Sequence, residues 1–450
     1  MVTAPPRGVF TVGSLSYTQA ALVALFGWLI WGDFVLTLME QVLPALLPLL
    51  LKSHAASDSE IVIIGSTLGM AMNAALNPII SYNSDRFRSR WGRRRPFIVV
   101  TTPFVVFFLA AIPFAPEIFR WMNSHGFLAR LLSLGPTPPL ILVFALLVIG
   151  FQTFNMFISS VYSYLVPDVV PQHLVGRFFA LFRLVGSLAV ILFNYFIFGL
   201  ATTHMKMIFV GIAVGYGFFI LLMCWQVKEG EYPAPLKEDN AHWWSGIRNY
   251  ARECFGHSYY WWVFLTYSAL IWLGISNVFQ VFFYRDEMGL SLGLIGKMMA
   301  WSSMASMVLI YPFGVVLDRW GCHKTFMTSC ALLTAVSVLM FFFAVNQEST
   351  IVWTVLRNVI VGLASLALMK WTVDVYPRDR YGQFASAGAL FSSIGGLILG
   401  PVCGWWIGWV HHYRFYLMWS TAFSILGLAT AVIVYRKWEA LGGSDTYRAP

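Results

Sequence analysis

The sequence predicts an all-α integral membrane protein of twelve transmembrane helices arranged as two six-helix bundles. Three observations predict it. Of 450 residues 58% are hydrophobic and 11% charged, and the mean hydropathy is +0.70, far from the roughly 25% charged content of a soluble domain. Polar breaks leave twelve apolar stretches, each near the ~20 residues that cross a bilayer as a helix. Two pairs of motifs also recur in the same order in the two halves.

In order, the stretches are 20–50, 61–83, 96–115, 139–165, 178–201 and 207–227, then 259–283, 290–317, 325–345, 351–373, 386–410 and 415–435. No small-residue cleavage site follows the first, so it is expected to stay as a helix, with Pro44 and Pro48 opening its backbone beyond Glu40. A cytoplasmic amino terminus then places 19 of the 29 Lys and Arg in cytoplasmic segments, six on the other side and four within spans. That is the positive-inside bias. The most basic loop joins spans two and three, "SYNSDRFRSRWGRRRPF" from Ser81 to Phe97, in which seven of seventeen residues are charged and six are arginine. The net charge of +9 therefore reflects topology, and a nucleic-acid partner is excluded on composition. "YYWW" from Tyr259 marks where the seventh helix leaves the interface. The glycines of "SSIGGLILGP", Ser392 to Pro401, let the eleventh helix approach a neighbour closely. Short loops and the lack of an N-x-[ST] sequon fit a bacterial inner membrane, with both termini cytoplasmic. The lipid bilayer and a small-molecule substrate are the expected partners of a monomer. Cys224, Cys254, Cys322, Cys330 and Cys403 show no paired or metal-like spacing.

The repeat sets the domains. "SDRFRSRWGRRRPF" is echoed by "LDRWGCHKTF", matching Asp85 with Asp318 and Trp91-Gly92 with Trp320-Gly321. "PDVVPQHLVGRF" is echoed by "VDVYPRDRYGQF", matching Asp168, Pro171 and Gly176 with Asp374, Pro377 and Gly382. Residues 1–227 thus form one bundle and 259–450 the other, joined by a polar linker, 228–258. A parallel 6+6 repeat resembles the architecture of the major facilitator superfamily.

Within it, "SDRFRSRWGRRRPFI" resembles the loop of sucrose transporters, and "RSRWG" before a basic run and Pro resembles melibiose permease, of the glycoside-pentoside-hexuronide cation symporters. The resemblance implies uptake of a sugar or glycoside such as sucrose or maltose, coupled to a proton or a sodium ion. Coupling needs an ionisable group inside the membrane. Of the 20 acids only Asp33 and Glu40 lie well inside a span. Seven residues apart, they share a helix face, and a carboxyl shielded from water is a candidate proton carrier. Asp33 also occupies the "DF" position that resembles a sugar-contacting Asp of melibiose permease. The alternative for either carboxylate is a structural pair with Arg357 or Lys297.

Departures from the family bear on the ion. The second helix reads "MNAALNPII", with Asn73 and Asn77 where melibiose permease carries its cation-site aspartates, and the fourth reads "GFQTFNMF", with Gln152 and Asn155 in the region of another Asp. Amides bind hydroxyls but do not balance a sodium ion. Sodium is disfavoured, the expected coupling ion is H+, and no cofactor is expected. Sugar recognition asks for planar amides, carboxylates and arginines that grip hydroxyls, so the candidates are Asp33, Asn73, Asn77, Gln152 and Asn155 in the first half and Asn277, Gln280, Arg357 and Asn358 in the second.

At the cytoplasmic loops, Asp85, Arg86, Arg90, Gly92 and Arg93, with Asp318, Arg319 and Gly321, form an expected gate whose carboxylates cap helices and pair with arginines across the two halves. Lys370 and Arg183 read as snorkelling side chains. No phosphate loop or Cys/His cluster supports an enzyme. Secondary transport by alternating access is the main reading. A facilitative uniporter and a transporter-derived sugar sensor are the alternatives.

Overall fold

In the computed structural model, which describes residues 9–12, 14–124, 139–171, 174–230, 250, 252–377, 380–443, 447 and 450, the first element is an antiparallel hairpin. Its strands, β1 (Val9–Val12) and β2 (Leu15–Thr18), pair Val9 with Thr18 and Val12 with Leu15. Nothing in the hydropathy marks so short a sheet. Thr18 then caps the first long helix, its hydroxyl accepting from the Ala21 amide at 3.3 Å.

The remaining described elements are helical. They are α1 (Gln19–Ser53), α2 (Asp58–Val62), α3 (Leu68–Arg86), α4 (Arg95–Ala111), α5 (Ala115–Ser124), α6 (Pro139–Val169), α7 (Val175–Leu192) and α8 (Ala201–Gln226). After the linker follow α9 (Ser258–Leu273), α10 (Leu292–Trp320), α11 (Cys322–Phe343), α12 (Gln347–Val375), α13 (Tyr381–Val410) and α14 (Tyr416–Ala440). Pro44 and Pro48 sit inside α1, which stays helical through both instead of opening beyond Glu40. A π-turn, Ile63–Thr67, joins α2 to α3.

Eleven helices among the described residues are long and apolar enough to cross a membrane. One of them, Leu181–Gln226, has 46 residues, about 69 Å at 1.5 Å per residue and so twice a hydrocarbon core of ~30 Å. A π-turn (Phe193–Ile197), a 3-10 turn (Phe198–Leu200) and a kink at His204 divide it into α7 and α8, the fifth and sixth crossings. The protein is a multi-pass membrane protein with the twelve crossings of the predicted fold. Helices dominate because a bilayer offers backbone N–H and C=O groups no other partner. Large apolar side chains such as Met207, Trp225, Val308, Tyr311 and Trp409 lie exposed, as a lipid-facing surface requires.

The helices pack as two units. Unit 1 comprises Met1–Ala56 and Met72–Leu236; unit 2 comprises Ser57–Ala71 and Lys237–Pro450. Most of the expected linker, 231–249 and 251, lies outside the described residues. The second crossing divides between the units, and its Ser57–Ala71 portion packs in unit 2 on α13. Gly396, Gly400 and Gly404 face Met70, Thr67 and Ser59, and a Cβ at Gly404 would stand 2.6 Å from the Ser59 Cα. The glycine-rich eleventh crossing therefore does allow a close approach, to the second. In each unit the glycine of the repeated Trp-Gly pair has a positive φ, 101° at Gly92 and 80° at Gly321. Only glycine enters that region freely.

Candidate functional site

In unit 1 the polar groups gather on α1, α6 and α7. Asp33 is buried, 5% exposed, where Gly186 of α7 leaves room: a Cβ there would stand 3.3 Å from Asp33 Oδ2. Thr37, one turn along α1, serves the Asp33 carboxylate, and Arg183 acts on it electrostatically. Oδ2 itself accepts no hydrogen bond among the described residues. Two turns on, Glu40 Oε1 accepts from Ser159 Oγ at 3.0 Å and the carboxylate also takes the Asn155 amide. The Asn155 Oδ1 is buried without a partner among the described residues. Tyr162 of α6 donates to the Leu29 carbonyl, tying α6 to α1 beside Gly32. Within unit 1 neither carboxylate has a basic group within ion-pair distance among the described residues.

Unit 2 holds the counterpart. Arg357 of α12 is 2% exposed, donates from Nη2 to Ser420 Oγ at 2.9 Å and lies over the Tyr416 ring, 5.6 Å from its centroid. Its Nε has no partner among the described residues. Beside it Gln280 donates to the Tyr284 hydroxyl at 2.6 Å, which also receives Thr354 at 2.9 Å and meets the Tyr416 hydroxyl at 3.4 Å. A guanidinium this deep with only neutral partners is expensive in a membrane and by default functional.

The remaining candidates scatter. Gln152 and Asn73 are half-buried on α6 and α3; Asn277 is exposed in a 3-10 turn; Asn358 points to the Met299 thioether at 3.8 Å. The side chains of Asn77, Asp85 and Arg86 lie outside the described residues. Sequence reading missed Ser159 and Tyr284, although each lies four residues from a candidate, Asn155 and Gln280, on the same helix face. Tyr416 and Ser420 carry no such signal, because only packing brings α14 to Arg357.

In the basic loop the Asp85 and Arg86 side chains of the expected gate lie outside the described residues, and the arginines that follow are held within unit 1. Arg93 grips Asp168 with two bonds, Nε to Oδ2 at 3.0 Å and Nη2 to Oδ1 at 2.5 Å, and Arg94 adds Nε to Oδ2 at 3.3 Å. The backbone amides of Arg93, Arg94 and Arg95 converge on the Glu229 carboxylate at 2.6–3.1 Å, capping α4. These bonds are internal to unit 1: the four free N–H groups of a helix start take the nearest carboxylate. Arg90 is exposed. In unit 2 Asp318 pairs with Lys370 at 2.6 Å, giving that lysine a partner beyond snorkelling, while Arg319 is exposed.

A family model described as Major Facilitator Superfamily matches residues 20–398 and 268–439. No curated protein matches the sequence. Solved structures share the fold. The nucleoside transporter NupG superposes with TM-score 0.65 at 15% identity over 91% of this chain and 98% of its own. A bacterial homolog of the human lysosomal transporter Spinster, inward-facing and unoccupied, gives 0.65 at 10% over 94% and 99%. A bacterial homologue of the iron transporter ferroportin, inward-facing, gives 0.63 at 14% over 92% and 99%. Identities this low carry the fold alone, but the family match spans both halves of the repeat. The chain belongs to the Major Facilitator Superfamily and is a transporter of that family.

Proposed function

We infer that the protein takes up a sugar, a disaccharide or glycoside such as sucrose or maltose, across a bacterial inner membrane by proton symport with alternating access. The observation that carries the coupling is the pair Asp33 and Glu40, two acids in one apolar span, surrounded by hydroxyls and an amide and without an ion-pair contact to a base among the described residues of unit 1. The likeness of the "GRRRPF" loop to sucrose transporters supports the sugar. Each unit by itself offers planar donors of the kind that vicinal hydroxyls need, Asn155 in unit 1 and Gln280 and Arg357 in unit 2. Both termini and the arginine loop then face the cytoplasm, and the chain works as a monomer without a cofactor. A uniporter would leave the Asp33 oxygen without a task.

Counterflow exchange in proteoliposomes tests the cargo. Preloaded unlabelled sucrose or maltose should draw in its labelled counterpart, whereas uridine and ferrous iron should not exchange. Exchange of the nucleoside or the metal alone overturns the sugar reading. Arg357→Met separates function from stability. Replacing a buried charge that lacks a counter-ion among the described residues by an apolar side chain of similar length leaves stability unchanged or raises it by about 1 kcal/mol, read as thermal unfolding in detergent, while sugar counterflow is lost.

A further inference from the structure

The two copies of the Trp-Gly turn carry different locks. Aligned on Trp91-Gly92 and Trp320-Gly321, "RRR" of Arg93 to Arg95 stands opposite Cys322, His323 and Lys324. In unit 1 the lock is permanently charged: Arg93 and Arg94 hold Asp168. In unit 2 the matching carboxylate, Asp374, receives the Cys322 thiol, Sγ to Oδ2 at 3.1 Å. Where Arg94 stands in unit 1, His323 is buried, 6% exposed, with Nδ1 3.3 Å from Cys322 Sγ. Its ring lies among aromatic side chains, 4.4 Å from Trp438, 5.8 Å from Tyr435 and 6.1 Å from Trp371. Nε2 has no hydrogen-bond partner among the described residues.

Imidazole is the side chain here that changes charge between about pH 5 and pH 8. The charged groups that act on it are Asp374 of α12 and Glu439 of α14, with the Tyr435 ring of α14 and the Cys322 thiol beside it; Lys370 of α12 acts on Asp374 and Cys322 and is itself engaged by Asp318 of α10. A proton added to Nε2 has no acceptor in the aromatic pocket, and a buried charge without one is strongly unfavourable. Asp374 and Glu439 both attract the imidazolium, so the ring's lower-energy place is outside the pocket, against a carboxylate.

We propose that His323 is an acid-released latch on the turn between α10 and α11: neutral, it fills the aromatic pocket and holds the Cys322 thiol on Asp374; protonated, it leaves the pocket, takes over the carboxylate and frees the thiol. In the orientation proposed above the latch faces the cytoplasm, the side on which a proton symporter releases its protons. Accumulated protons would then loosen the unit 2 lock, whereas the unit 1 lock, Arg93 and Arg94 on Asp168, contains no imidazole.

Thiol labelling tests this without any transport assay. The purified full chain is treated with a dipyridyl disulfide at about pH 7.5 and about pH 5.5, and each cysteine is read separately by peptide mass spectrometry against a free-thiol standard. The standard slows in acid, so a rise is not a reagent effect. Cys322 should label several-fold faster at the lower pH relative to the standard, while Cys330, 1% exposed one helical stretch further along α11, stays unlabelled at both. His323→Gln, which cannot take the proton, should abolish the rise. A Cys322 rate that does not rise in acid, or that rises equally with Gln at this position, or that rises together with Cys330, overturns the latch. If the variant does not fold, the ratio of Cys322 to Cys330 labelling in the native chain decides alone.

Discussion

Asp33→Asn should reduce transport to equilibration. With an inward gradient of about one pH unit, the native protein coupled one to one accumulates sugar up to about tenfold, since 1.4 kcal/mol is a factor of ten. Without the carboxyl the accumulation ratio falls to about one, while counterflow exchange, which needs no net proton movement, persists. Glu40→Gln should keep a reduced accumulation. The structure separates the two acids: Ser159 and Asn155 occupy Glu40, whereas Asp33 Oδ2 accepts no hydrogen bond among the described residues and so has room for a proton. Full accumulation by Asp33→Asn, or loss of exchange along with accumulation, would show that Asp33 binds cargo or holds the helix and does not carry the proton.

Asp168→Ala should destabilise the protein far more than Asp374→Ala, although the two positions match in the repeat. Removing Asp168 strips three charged bonds from two arginines, of which Arg94 keeps only 5% side-chain exposure. Breaking a buried ion pair from one side costs about 3–5 kcal/mol. Asp374 accepts one thiol at 3.1 Å, so its loss costs about 1 kcal/mol. Thermal unfolding in detergent, followed by helical circular dichroism, checks this; equal shifts for the two variants would mean that the arginines find other partners.

The crossings were legible because a bilayer demands ~20 apolar residues per helix and leaves the backbone no alternative. The Trp-Gly and Asp pairs exposed the repeat, and both matched glycines, Gly92 and Gly321, adopt the positive φ that favours glycine. Asp33, Glu40 and Asn155 stood out because polar residues in an apolar run are conspicuous, and the structure does bring them together on α1 and α6. Other features were hidden for physical reasons. The hairpin 9–18 is fixed by pairing between two four-residue strands, too short to leave a period in the sequence. The passage of Ser57–Ala71 into unit 2 depends on three glycines more than 300 residues away. Asp168 was visible in the repeat as a marker, but its role as the partner of Arg93 and Arg94 follows from where α6 ends in space.

The central claim, proton-driven sugar uptake, is tested most directly by labelled sucrose and maltose in proteoliposomes of the native protein, with and without an inward proton gradient. Accumulation above the outside concentration that appears with the gradient and collapses when a protonophore removes it is the predicted result. Sugar that only equilibrates, at a rate and to a level indifferent to the gradient, would contradict it and leave a uniporter.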